Sequence, residues 1–290
     1  MADITYTPPE IWTQDEANGG QFASINRPTA GSRHEKELPV GQHPFQLYSL
    51  ATPNGQKASI MFEELLEAGH EGAEYDAWMI DIGEADQFGS GFVAINPNSK
   101  IPALVDRSGE TEFRVFESGA ILLHLAETFD ALLPSDRSAR AETLSWLMWQ
   151  IGGAPFIGGG FGHFYNYAPH PMKYPIDRYA METKRQFSVA DMQLARTRYL
   201  AGDEYTIADI AAYPWLSALW HGAYKGSDRF LQLRENENVG RWIEEIDARP
   251  AVIRGRLVNS KTMRERHSPA DFDRVEDRTL FDPVRKRVDA

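Results

Sequence analysis

No cysteine occurs among the 290 residues, which excludes a disulfide framework, a thiolate metal centre and a sulfur nucleophile borne by the chain itself. Any thiol chemistry must borrow its sulfur from a ligand. There is no run of about 18 consecutive apolar residues, so nothing reads as a membrane span. Net positive charge is also lacking: 30 Lys and Arg stand against 42 Asp and Glu, a formal charge of -12. That balance disfavours nucleic acid, whose binding relies on clustered cations to neutralise phosphates. Metal motifs are missing too, because the eight histidines show no H-x-x-x-H spacing and no carboxylate loop has the calcium pattern. Residues 1 to 14 have neither the basic start nor the apolar run of a secretory signal, which points to the cytoplasm.

What is present is the composition of a globular protein, 42% hydrophobic and 11% aromatic, with length for about two compact domains. Residues 1–43 mix Pro and Gly with polar residues and show no periodicity, so they read as an N-terminal arm, ordered in part by Trp12, Phe22 and Ile25. A compact unit over 44–130 follows. Phe45 to Tyr48 predicts a strand, Thr52-Pro53-Asn54-Gly55 a turn, and Ala58, Met61, Phe62, Leu65 and Leu66 one apolar face of a helix. Tyr75 to Ile80, Ile101 to Val105 and Phe113 to Phe116 predict further strands. Asn96-Pro97-Asn98-Ser99 predicts a turn, and Ser118 to Phe129 a helix with Glu117 and Ser118 in capping position. The order is β-α-β-loop-β-β-α.

A short linker over 130–138 leads to a stretch, 138–258, whose periodicity is helical throughout, giving an α/β unit followed by an all-α one. Thr206 and Asp209 have capping-box spacing, Tyr205 and Ile210 can staple the turn, and Pro214 predicts a kink. The glycine-rich Gly158 to Gly162 lacks the Lys of a phosphate loop and reads as a close helix contact or a helix break. Residues 259–290 alternate charge and have few aliphatics, the pattern of a surface-hugging extension or of a partly disordered segment.

Three loops can meet at one sheet edge: Thr52-Pro53-Asn54 entering the first helix, Ile101-Pro102 entering a strand, and Glu117-Ser118 ahead of the capped helix. In that arrangement the chain resembles the glutathione transferase superfamily. Asn96-Pro97-x-x-Lys100-Ile101-Pro102-Ala103-Leu104 and Glu117-Ser118-x-Ala120-Ile121 match its thioredoxin-like N-terminal domain, in which the x-Pro bond is cis. Thr206-x-x-Asp209 and Arg249-Pro250-Ala251-Val252 match its helical C-terminal domain. A narrower likeness is to the Nu class of bacterial disulfide-bond oxidoreductases. It is carried by Thr52-Pro53-Asn54-Gly55-Gln56-Lys57, Gln87-Phe88, Phe161-Gly162-His163-Phe164 and the arm motif Gly19-Gly20-x-Phe22-x-x-Ile25-Asn26-Arg27-Pro28.

The resemblance implies a site for glutathione, two per site or one glutathione disulfide. Helix N-termini suit its carboxylates, so Ser118 would hold the γ-glutamyl carboxylate and Glu117 the ammonium. The backbone of Ile101 would pair with the cysteinyl part, with Gln87 and Lys100 nearer the ends. Thr52 and Asn54 are the candidate catalytic residues, able to stabilise a thiolate beside Pro53; Thr52 can also serve simply as the helix cap. Asn26, Tyr174 and Arg178 are implied around the second tripeptide. The family tends to carry Gln where this chain has Ile151, with Gln150 one residue earlier on another helix face, so that contact is altered here. Tyr48 reads as a core aromatic rather than an activating hydroxyl. The expected reaction is thiol-disulfide exchange on a small disulfide, with some organic hydroperoxide reduction, by a homodimer. Conjugation of glutathione to electrophiles and a non-catalytic binding module are the alternatives.

Overall fold

The computed structural model describes residues 7–15 and 20–281; residues 1–6, Gly19 of the arm motif and the last nine residues of the extension lie outside the described residues. Four strands, β1 (Phe45–Ser49), β2 (Tyr75–Met79), β3 (Ala103–Asp106) and β4 (Phe113–Phe116), form one sheet in the order β2-β1-β3-β4. β1 runs parallel to β2 and antiparallel to β3, and β3 is antiparallel to β4. The parallel pair needs a crossover, and α1 (Pro53–Glu67) supplies it. Alternation along β1 divides its side chains. Phe45 and Leu47 join Leu104 beneath α1 and α3 (Ser118–Phe129), while Tyr48 packs with Ala103, Val105 and Phe92 on the opposite face. Between β2 and β3 the expected loop contains a short helix, α2 (Ser90–Ile95), which brings Phe92 to that second face.

The second unit is helical, with α4 (Arg137–Pro155), α5 (Lys173–Leu194), α6 (Ile207–Trp220), α7 (Ser227–Phe230), α8 (Glu237–Asp247) and α9 (Pro250–Leu257). Asp136 caps α4 by accepting from Ser138 and Ala139 N–H. Thr206 and Asp209 form the expected capping box on α6, which continues through Pro214. Asp209 is buried and also accepts from Leu200 N–H and Trp242 Nε1, both at 2.9 Å, so one carboxylate starts the helix and ties it to α8. The glycine-rich run lies in a π-helical segment, Phe156–Tyr167, that continues α4. A Cβ on Gly158 or Gly160 would lie 2.3 Å from Trp215 or 2.4 Å from Tyr179, the close contact anticipated from the sequence. Among the described residues no helix is long and apolar enough to cross a membrane.

α1 departs from the one-faced reading. Beyond Ala58, Met61, Phe62 and Leu65, it also buries Lys57, Ile60, Glu63 and Glu64, because α3, α6 and α9 pack around it while Phe62 meets Phe45 and Tyr75 of the sheet. α9 approaches so closely that a Cβ on Gly255 would lie 2.6 Å from Ile60 Cα. Each buried carboxylate is met by arginine: Arg249 pairs bidentately with Glu64 at 2.6 and 2.7 Å, and Arg254 reaches Glu63 at 2.8 Å.

The extension is more than a surface coat. Arg266 exchanges backbone hydrogen bonds with Ala77, adding a bridge to the β2 edge, and its side chain is fully buried. Its guanidinium meets Glu74 at 2.7 Å and Glu63 at 3.2 Å, and lies 4.2 Å over the Tyr75 ring. Met263, Phe272 and Val275 are buried beside it. Few aliphatics suffice when each one finds the core, which is why charge alternation concealed the docking. The arm docks in the same way: Ser90 N–H donates to His34 O and Gly91 N–H to Lys36 O. Phe22 packs edge-on to Tyr167, whereas Trp12 is exposed.

Arg266→Ala would leave buried acidic groups short of a cation and is expected to lower stability by about 3 kcal/mol, read from urea denaturation. An unchanged midpoint would show that the extension contributes nothing to the fold.

Candidate active site

α1 starts at Thr52, whose extended backbone and Oγ1, accepting from Gly55 N–H at 3.4 Å, cap the helix. Pro53 fills the first helical position, where a missing N–H costs nothing. The cap uses an oxygen lone pair, so the Thr52 hydroxyl proton and the Asn54 N–H are left for a ligand. Gly55 is required because a Cβ there would lie 1.8 Å from Leu50 O. The Asn54 amide is fixed by a residue far along the chain. Trp215 Nε1, which can only donate, reaches Asn54 Oδ1 at 2.8 Å, so the NH2 end of the amide faces away from the indole.

The loop before β3 forms a second wall. Buried Asn96 accepts from Asn98 N–H at 2.9 Å and donates to Lys100 O at 2.5 Å, which folds the Asn-Pro-Asn-Ser turn back on itself. The Ile101-Pro102 bond is cis, as the resemblance implied, and the strand begins two residues later than expected, at Ala103. The third wall is the start of α3, where Glu117 sits at φ 72° and Ser118 is buried. Asn98 Nδ2 donates to Glu117 Oε1 at 3.1 Å and so ties the second wall to the third. Gln87 is buried, with an amide oxygen that has no partner among the described residues.

These walls enclose a cavity of about 350 Å³ lined by Thr52, Pro53, Asn54, Gln87, Lys100, Ile101, Glu117 and Ser118, with Trp215 closing one side. An adjoining cavity of about 550 Å³ shares several of these residues and adds Asn26 from the arm, Ile151 and Lys57. Tyr174 and Arg178 line neither cavity; both are exposed on α5. Ile151 faces the second cavity, its Cγ1 2.9 Å from where a Gly119 Cβ would stand, while Gln150 turns inward. Tyr48 donates to Pro39 O at 2.7 Å, and burial pushes its hydroxyl up to about 12, so it belongs to the core. At the rim, partial burial lowers the Lys100 pKa.

Two residues of the site escape the sequence reading. Trp215 follows Pro214 in a strongly apolar helix and gives no polar signal of its own. Lys57 is the more informative omission: it lies wholly out of water on α1 and donates to Gln150 Oε1 at 2.6 Å and to Ser118 Oγ at 3.4 Å. Burial draws its ammonium down to about 7 against the opposing field of Glu117. A lysine inside an otherwise apolar helical stripe was the available clue.

A four-stranded sheet with mixed pairing, a cis-proline loop and two helix N-termini facing one cavity, joined to an all-helical unit, defines a thioredoxin-like domain with a helical partner domain. Two family models agree with that division: Glutathione S-transferase, N-terminal domain, over residues 44–127 and Glutathione S-transferase, C-terminal domain, over residues 172–250. The chain is 55% identical to the disulfide-bond oxidoreductase YghU of Escherichia coli, over 94% of this chain and 97% of that protein. The glutathione transferase YghU from Streptococcus pneumoniae, solved in complex with glutathione, is 54% identical with a TM-score of 0.86, covering 88% of this chain and 98% of that one. A glutathione transferase from Pseudomonas putida with one glutathione disulfide per subunit is 37% identical with a TM-score of 0.70, covering 76% and 94%. The chain belongs to the glutathione S-transferase family.

The positive φ of Glu117 places a side chain where glycine is favoured. Glu117→Gly is expected to raise stability by about 1 kcal/mol, measured as a higher melting temperature. A lower one would show that the Asn98 contact outweighs the backbone strain.

Proposed function

We propose that the chain is a glutathione-dependent disulfide-bond reductase of the Nu class. The observation that carries this reading is the polar cradle at the start of α1, fixed by Trp215 in a protein that has no thiol of its own. Glutathione supplies the sulfur when bound: two thiols give two electrons to a substrate disulfide, so two glutathiones and one disulfide become glutathione disulfide and two free thiols. The two glutathione transferases named above, one with glutathione and another with glutathione disulfide, support the same ligand here.

The residues present fit that ligand group by group. The first turn of α3, with Ser118, offers N–H and O–H donors to the γ-glutamyl carboxylate, and Glu117 accepts from its ammonium. The Ile101 backbone pairs with the cysteinyl peptide group, and Gln87, whose amide oxygen is unpartnered, lies with Lys100 toward the glycyl end. Thr52 Oγ1–H, Asn54 N–H and Asn54 Nδ2 are the donors at this end of the cavity available to the sulfur. Together with the positive end of α1 they would lower the thiol pKa from about 8.5. The second tripeptide would occupy the larger cavity beside Asn26, against the apolar Ile151. A reaction that consumes reduced glutathione fits a reducing compartment such as the cytoplasm. Exposed Phe113 on the edge strand β4 and Met148 on α4 are available for a homodimer contact.

Thr52→Val and Asn54→Ala are each expected to lower kcat/KM for a small model disulfide about a hundredfold, with the fold intact by circular dichroism. Titration calorimetry should count two glutathiones per subunit. A faster rate with a chloronitroarene than with the disulfide, or undiminished turnover in both variants, would overturn the assignment. Trp215→Phe releases the Asn54 amide, so kcat should fall about tenfold while KM for glutathione stays nearly constant. An equal change in both would show that Trp215 contributes to binding alone.

A further inference from the structure

Lys57 has no carboxylate within ion-pair distance among the described residues, although its side chain is fully buried. The contrast with the other buried charges on and around α1 is sharp. Glu63, Glu64 and the equally buried Arg266 all have ionic partners at 3.2 Å or less. A buried ammonium with only neutral partners is costly, and hydrogen bonds alone do not offset the loss of water. Its two contacts also point the same way. Gln150 Oε1 anchors the nitrogen from α4, at the expense of leaving its own buried Nε2 without a partner among the described residues. Ser118 Oγ accepts from it at the first turn of α3, where unpaired N–H groups already favour an anion.

We infer that Lys57 is a positioning residue for glutathione, the built-in counter-charge of the γ-glutamyl α-carboxylate, acting through Ser118. An ammonium donating to Ser118 Oγ occupies a lone pair, so the serine proton turns outward to the ligand. Gln150, displaced inward from the cavity wall that Ile151 takes, holds the ammonium in that line. The inference rests on the glutathione reading above and adds to it the recognition of one particular carboxylate.

Five further charged or titratable groups line the cavity that reaches Lys57: Glu117 from α3, Lys100 from the loop before β3, His163 and Tyr167 from the π-helical segment, and Tyr224, whose hydroxyl burial pushes well above the range of interest; Gln150 of α4 and Trp215 of α6 are neutral. With an ammonium pKa of about 7 in the free protein, the charge is present at pH 6 and largely lost by pH 8. A bound carboxylate would raise that pKa, so affinity for it must fall as pH rises through 7.

The test compares glutathione with γ-aminobutyryl-cysteinyl-glycine, which lacks only the α-carboxylate, by calorimetry on the full chain. The ratio of the two affinities cancels the thiol, the glycyl end, Lys100 and His163. The wild-type ratio should favour glutathione and fall about tenfold between pH 6 and pH 8. Lys57→Met should cut it about tenfold or more at pH 6, remove its pH dependence and leave binding of the analogue unchanged. Equal weakening of both ligands, or an unaltered ratio, overturns the inference. Should the variant fail to fold, a wild-type ratio that is flat with pH does so by itself. A wild-type chain that binds neither tripeptide overturns the functional reading and this inference together, whereas binding without carboxylate preference overturns only the second.

Discussion

Two adjacent carboxylates, Glu63 and Glu64, lie almost wholly out of water on α1, and the chain from residue 249 onward is arranged to answer them. A buried carboxylate without a cation is untenable by several kcal/mol, so α1 can occupy its place only when Arg249, Arg254 and Arg266 are in theirs. These arginines come from the residue that precedes α9, from α9 itself and from the extension. The two domains and the tail are therefore bound into one object through a single helix. The close approach at Gly255, which admits no side chain against Ile60, fixes the angle at which they meet.

That constraint at the far half of α1 determines what its near half can do. A helix held along its whole length presents its first turn to the same point, and both Thr52 and Asn54 belong to that turn. The indole of Trp215 can orient Asn54 because α6 packs directly on α1. The lower turns thus carry the ionic clamp and the upper turn faces the cavity, with Lys57 at the junction. A cradle meant to polarise a borrowed thiol gains from such rigidity, since electrostatic stabilisation is largest when the donors need no reorganisation.

The legibility of this arrangement in the sequence follows the range of each interaction. Thr52-Pro53-Asn54, Ile101-Pro102 and Glu117-Ser118 were readable because helix starts, turns and proline entries are written in neighbouring residues, and all of them line the cavity, although Glu117 makes no side-chain cap on α3, its carboxylate being turned to Asn98 instead. β1, β4 and α3 stand where alternation and helical period placed them, and the capping box at Thr206 formed as spaced. What was hidden depends on partners far along the chain: Trp215 on Asn54, Gln150 on Lys57, and Arg266 on Glu63 and Glu74. A charged residue in sequence announces solvent unless its counter-ion is known, which is why the extension looked like surface. Tyr174 and Arg178 had no local pattern behind them, only resemblance, and they stand apart from the cavity on α5.

The Gln150-Ile151 pair shows how one step along a helix redistributes polarity. Successive residues on a helix are about 100° apart, so the amide and the aliphatic side chain cannot both face the same wall. Here the amide goes inward to the lysine and the aliphatic goes to the cavity. A glutamine on the wall would spend its hydrogen bonds on a ligand. Turned inward, it holds an ammonium whose remaining contact, Ser118, lines the same cavity. The polar group of the pair thus serves a buried cation instead of the cavity wall. Because the aliphatic side chain carries no donor or acceptor, that stretch of wall shapes the cavity without offering it a hydrogen bond.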